Sequence, residues 1–122
     1  MAEVVLERAD GAPVCERCVV ANRPLVRARG LLGRRDLPSG EGILLAPASS
    51  IHTFFMRFAI DVVFVDREGE VLRIAPELPP WRAAGCRGAR YVVELTAGEC
   101  ARRGLSPGDR LLVADALRRA QG

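Results

Sequence analysis

Sixteen residues, Ile51–Asp66, hold the only histidine and all four phenylalanines of the 122-residue chain. The second half of this block, Ile60-Asp61-Val62-Val63-Phe64-Val65, is an apolar run rich in β-branched side chains, and Asp66-Arg67-Glu68-Gly69 follows as a turn. That is the pattern of a buried strand. Asp61 interrupts it. Burying a lone carboxylate costs on the order of several kcal/mol, so Asp61 must be hydrogen-bonded, ion-paired or placed at a pocket rim. Two readings stay open: an acceptor of backbone N–H bonds that pins a loop, or a functional group.

The rest of the chain organises around that strand. Segments 3–9 and 14–21 read as a hairpin about the turn Asp10-Gly11-Ala12-Pro13. Asn22 can cap a helix that runs to about Gly33, with Arg23, Arg27 and Arg34 along one side and Leu25, Ala28, Leu31 and Leu32 along the other. Ile43–Ala46 is a short strand, and 60–65 pairs with 70–74 as a hairpin. Residues 75–88 show neither helical nor strand periodicity and read as an ordered loop or lid, with Trp81 expected to plug a core edge. A strand over 89–95 is followed by Thr96-Ala97-Gly98-Glu99, which fits a capping box, and by a helix ending at Gly104. A last strand is expected over 110–113, and 115–122 as a frayed tail. Many short strands with two short helices predict a single α+β domain, mostly antiparallel, whose sheet could close into a barrel. Neither a phosphate loop nor the βαβ rhythm of a nucleotide fold is visible.

Hydrophobic content of 49% and charge of 27% are ordinary for a globular protein and argue against disorder. No apolar run approaches membrane-spanning length. Acids near the N-terminus, Glu3 and Glu7, stand where a secretory signal would be basic, so the expected location is the cytoplasm. All eighteen basic residues are arginine, and the net charge of +3 is scattered among fifteen acids. The arginines of 23–35 read as a solvated helix side, and no specific nucleic-acid binding is expected.

Three groups of residues could carry chemistry. Cys15-Glu16-Arg17-Cys18 has the spacing of half a zinc site or of a redox dithiol. Completing a zinc site would take two of Cys86, Cys100 and His52, and a redox pair wants a helix N-terminus where this segment reads as strand. Free thiols with no cofactor are the expectation, zinc on Cys15 and Cys18 the alternative. Cys100 reads as a small core residue. His52 could be a ligand contact, a packed imidazole, or the base of a triad with Ser49, Ser50 or Thr53 and Asp61.

Five blocks also carry a resemblance: Arg29-Gly30-Leu31-Leu32-Gly33-Arg34, Gly40-Glu41-Gly42-Ile43-Leu44-Leu45, the His52-Thr53-x-x-Met56-Arg57-Phe58-x-Ile60-Asp61-Val62-Val63-Phe64 stretch, Tyr91-x-x-Glu94-Leu95-x-Ala97-Gly98, and Pro107-Gly108-Asp109. Their order over about Val14 to Val113 resembles the bacterial and archaeal family called domain of unknown function 192. The resemblance implies a small β-rich domain, in other members often behind a secretion signal or lipoprotein anchor. It implies no activity. This chain departs from the commoner pattern in its His-Thr version of the third block, in Ala59 where many members have proline, and in Cys15 and Cys18. The function expected is that of a non-enzymatic binding or accessory module, with no catalytic residue assigned. Its contact residues would be His52, Thr53, Met56, Arg57, Asp61 and Trp81 with Arg29 and Arg34 nearby, and its partner a small molecule or protein. A metal-dependent or hydrolytic enzyme is the alternative.

Overall fold

A computed structural model describes residues 2–21 and 34–122; the helix expected over 22–33, with Arg29, lies outside them. The strands are β1 (Glu3–Glu7), β2 (Pro13–Ala21), β3 (Glu41–Leu45), β4 (Ser50–His52), β5 (Ile60–Val65), β6 (Val71–Leu78), β7 (Ala83–Gly85) and β8 (Tyr91–Thr96). Six of them form one sheet in the order β1-β2-β3-β8-β5-β6, while β4 and β7 pair separately. Among the described residues every strand pairing is antiparallel except β2 with β3, which is parallel. The hairpins of β1 with β2 and of β5 with β6 are those the turn residues predict.

The sheet is open, which corrects the expected barrel-like closure. β1 and β6 are its two ends, and the chain from 108 to 112 runs between them at one corner. Isolated bridges, Arg8 with Leu111 and Glu70 with Arg110, and a bond from Gly108 N–H to Val71 O link that segment to either side, and among the described residues no ladder closes the ring. The strand expected over 110–113 is reduced to these bridges.

β5 is buried at every position. Because strand side chains alternate, Asp61, Val63 and Val65 face one side and Ile60, Val62 and Phe64 the other. The first side holds a core with Leu6, Cys15, Cys18, Leu44, Leu95 and Cys100, covered by helices α1 (Glu99–Arg102) and α2 (Val113–Gln121). The second holds Ile43, Leu45, Met56 and Val92, with Ile51 of β4 and Ala84 of β7 packed against it. Two differences from the sequence reading follow. Residues 113–121 are a helix rather than a frayed tail, because Val113, Ala116, Leu117 and Ala120 form an apolar stripe at helical spacing that joins the first core. Residues 75–88 are not one loop: β6 continues to Leu78, and β7 pairs with β4, both three residues long and too short to show a period. Among the described residues no helix is long and apolar enough to cross a membrane.

Candidate functional site

Asp61 is 1% exposed. Its Oδ1 accepts the N–H of Glu77 at 2.8 Å and of Gly98 at 3.0 Å, and its Oδ2 that of Cys100 at 2.9 Å. Two of these donors sit at the start of α1, where backbone N–H groups lack intrahelical partners. The capping box is therefore replaced. Gly98 is the N-cap, in the left-handed region at φ 89° where glycine is free of Cβ strain, and Asp61 reaches across from β5 to cap the helix. Thr96 instead donates its hydroxyl to Leu37 O at 2.7 Å. Glu99 binds Arg103 at 2.8 Å and also Arg102. The third donor, Glu77, lies with Pro76 in a β-bulge: two steps along β5 from Ile60 to Val62 face three along β6 from Leu78 to Ala75. Such a residue leaves the ladder, and Asp61 satisfies its N–H.

His52 lies on the other side of the sheet. It ends β4, pairs with Ala83, and accepts the Phe54 N–H on Nδ1 at 3.2 Å. The structure does not bring His52 and Asp61 together, so neither a shared polar site nor a triad forms from them. What it assembles around His52 is an aromatic cap. Phe54, Phe55 and Trp81 are 40%, 71% and 55% exposed. The His52 and Phe54 rings stack at 4.8 Å, Phe54 and Trp81 lie 6.0 Å apart, and Phe55 tilts against Trp81 at 4.7 Å. Trp81 thus sits outside the core edge it was expected to plug; Met56, 6% exposed, fills the core instead. Arg57 and Arg82 are exposed beside these rings in sequence.

A clasp at Thr53 holds the two turns of the cap. Fully buried, Thr53 donates its hydroxyl to Pro79 O at 2.7 Å and accepts the Arg82 N–H at 2.9 Å. Its own N–H donates to Arg82 O at 2.7 Å, and its carbonyl accepts from Trp81 at 3.0 Å and Met56 at 3.1 Å. Between these anchors Phe55 and Trp81 hold φ of 68° and 65°, a left-handed conformation that costs a bulky residue about 1–2 kcal/mol.

Cys15 and Cys18 are fully buried on the helix-covered side. Residues three apart in a regular strand face opposite ways; here a bulge opposite Val5 resets the phase, since Val4 pairs with Cys18 and Leu6 with Cys15. The Cys15 thiol donates to Gly40 O at 3.4 Å, with Cys18 as its neighbour. The proximity of the two thiols lowers the Cys15 pKa and raises that of Cys18, with burial adding to the rise at Cys18. Cys86 packs at the margin of the opposite core and His52 is exposed beyond it, so the sheet separates both from the pair. Cys100 is a core residue, as expected, and burial pushes its thiol up to about 12. Arg34 turns away to Glu41 at 3.1 Å.

One buried group was missed as a site residue. Glu94 on β8 pairs with Val62, which turns it toward the second core, and it is 5% exposed. Burial raises its pKa to about 7. No hydrogen bond or ion pair reaches its carboxylate from the described residues. Its sequence signal was the charge in Tyr91-Val92-Val93-Glu94-Leu95, as conspicuous as Asp61 in its own strand.

Comparison with known proteins gives a lineage. The family model described as "Uncharacterized ACR", domain of unknown function 192, matches residues 5–113. A UPF0127 protein of Pyrococcus furiosus is 41% identical over 64 residues, 52% of this chain and 54% of that protein, so the matched stretch spans about half of that relative's length. A crystal structure of a protein of unknown function from Novosphingobium aromaticivorans shares the fold, with a TM-score of 0.74 and 24% identity over 90% of this chain and 83% of the other. A Sinorhizobium meliloti protein, provisionally described as a transcription regulator, gives a TM-score of 0.76 and 29% identity over 88% of each chain.

Proposed function

The chain belongs to the family of domain of unknown function 192, and we propose that within it this protein is a non-enzymatic binding module whose contact surface is the aromatic cap. The observation that carries this reading is the outward display of Phe54, Phe55 and Trp81 on two turns clasped by a buried threonine. Contiguous exposed apolar surface marks interaction sites, and aromatic and arginine side chains supply most of the energy of protein contacts. Holding two bulky residues at positive φ is unfavourable, and that conformation is tolerated at sites where it positions a group for use. His52 stacks on Phe54 at the edge of the cap, and Arg57 and Arg82 are exposed neighbours of the rings in sequence. Thr53 and Met56 support the surface from beneath, and Asp61 holds the scaffold on the other side of the sheet.

A fragment screen read by amide chemical shifts tests this. Aromatic and apolar fragments should perturb residues 52–58 and 79–85, and a Phe55→Asn variant should lose those shifts while remaining folded. Perturbations gathered around Asp61, or unchanged in the variant, would overturn the reading.

A further inference from the structure

Resting on that reading, we propose that the partner of the aromatic cap is the surface of an anionic phospholipid bilayer, into which Phe55 and Trp81 insert. The charge pattern is the first reason. From Ala46 to Ile60 and from Leu78 to Val93 there is no aspartate or glutamate, although the chain has fifteen, and the same two segments carry Arg57, Arg82, Arg87 and Arg90. Arg57 and Arg82 flank the aromatic residues; Arg87 and Arg90 follow β7, toward the opposite end of the small sheet. Glu77 is the nearest carboxylate along the chain from Trp81, in the bulge before Leu78. Arginines near an anionic leaflet are attracted by its surface potential, each worth about a fivefold gain in affinity.

The shape of the cap is the second reason. The rings project from turn tips, and the groove beside them, lined by Ser50, Ile51, His52 and Ala83–Gly85, is shallow and wide open. A peptide anchored by a side chain needs a closed pocket, whereas a bilayer interface takes projecting apolar groups with tryptophan at headgroup depth. Single-stranded nucleic acid fits less well, because base stacking needs free ring faces and these rings already lie against one another. Rigid display adds to the effect, since the clasped turns lose little freedom on docking.

Trp81 is the only tryptophan, so its emission reports the cap directly. Full-length protein is mixed with vesicles of phosphatidylcholine alone and of phosphatidylcholine with phosphatidylglycerol. With the anionic vesicles the protein should co-sediment and Trp81 emission should shift to the blue. Binding should weaken as salt approaches about 0.15 M, where the Debye length is about 8 Å. Arg57→Gln and Arg82→Gln should each lower affinity about fivefold. Phe55→Asn, which suits a left-handed position, should lower it about tenfold or more with unchanged unfolding. Binding without a Trp81 shift, or unaffected by Phe55→Asn, would overturn insertion through the cap. Inert vesicles together with fragment shifts on 52–58 and 79–85 would overturn the lipid partner and leave the binding surface standing. A single-stranded oligonucleotide or a peptide that shifts Trp81 while vesicles do not would replace the lipid with that partner.

Discussion

Two halves of one sixteen-residue block do opposite work. Asp61 is a charged group turned inward, with three backbone donors converging on it and almost no contact with water. Nine residues earlier, the chain from His52 to Phe55 turns apolar rings outward. Polarity alone would have placed them the other way round. The difference teaches that a buried carboxylate is an organising group when backbone N–H groups lack partners, and that exposed aromatics need a buried polar clasp to stay exposed.

The largest effect expected from breaking this contrast is at Asp61. Asp61→Ala leaves one buried and two part-buried N–H groups unpaired, and at about 1–3 kcal/mol for each unsatisfied group the chain should lose about 3 kcal/mol or more, read by urea denaturation. Asp61→Asn, which keeps one acceptor oxygen, should recover part of it. A variant of full stability would reassign Asp61 from scaffold to site.

Glu94 is the converse case, a buried acid that no donor among the described residues reaches. Its folded pKa, about 7, lies above the ordinary value of 4.5. Below the unfolded pKa both states are protonated and stability is at its fullest. As pH rises toward 7 the unfolded chain ionises while the folded one holds its proton, so stability falls by up to about 3 kcal/mol and then levels off. Glu94→Gln should remove that decline and unfold later at neutral and alkaline pH. An unchanged stability profile between pH 4.5 and 7 would contradict it.

Smaller still is the effect at the clasp. Thr53→Ala removes one donated and one accepted side-chain hydrogen bond and should cost about 2 kcal/mol. More telling, amide exchange should quicken at Trp81 and Arg82 and not at Cys100. Phe55→Asn should change stability by less than about 0.5 kcal/mol, since an exposed ring contributes little to folding. A large loss there would mean that the cap is core after all.

Much of the scaffold was legible because its signals are local. The apolar run of β5, the Asp10-Gly11 turn, and the need for a partner at Asp61 each follow from a few adjacent residues. What escaped depends on phase and on distant pairing. A bulge reverses which way every later side chain points, so nothing in Cys15-Glu16-Arg17-Cys18 tells that both thiols face one core. Turns 53–59 likewise erase the parity between His52 and Asp61, so neighbours in sequence end on opposite sides of a sheet. β4 and β7 are stabilised by each other and carry no pattern alone. The size of Trp81 points to a core edge, whereas the turn after Pro79-Pro80 directs it outward.

The clasp at Thr53 also separates two kinds of constraint on sequence change. One hydroxyl and the backbone on either side of it fix the paths of both turns, so residues 54, 55, 81 and 82 are held by atoms that do not belong to their side chains. Side chains that tolerate the positive φ of 55 and 81 can replace one another there without disturbing the fold, as in variable loops on an immunoglobulin frame. A change of partner would then need only new side chains at the tips, and the same feature makes this corner a graftable site for engineered recognition.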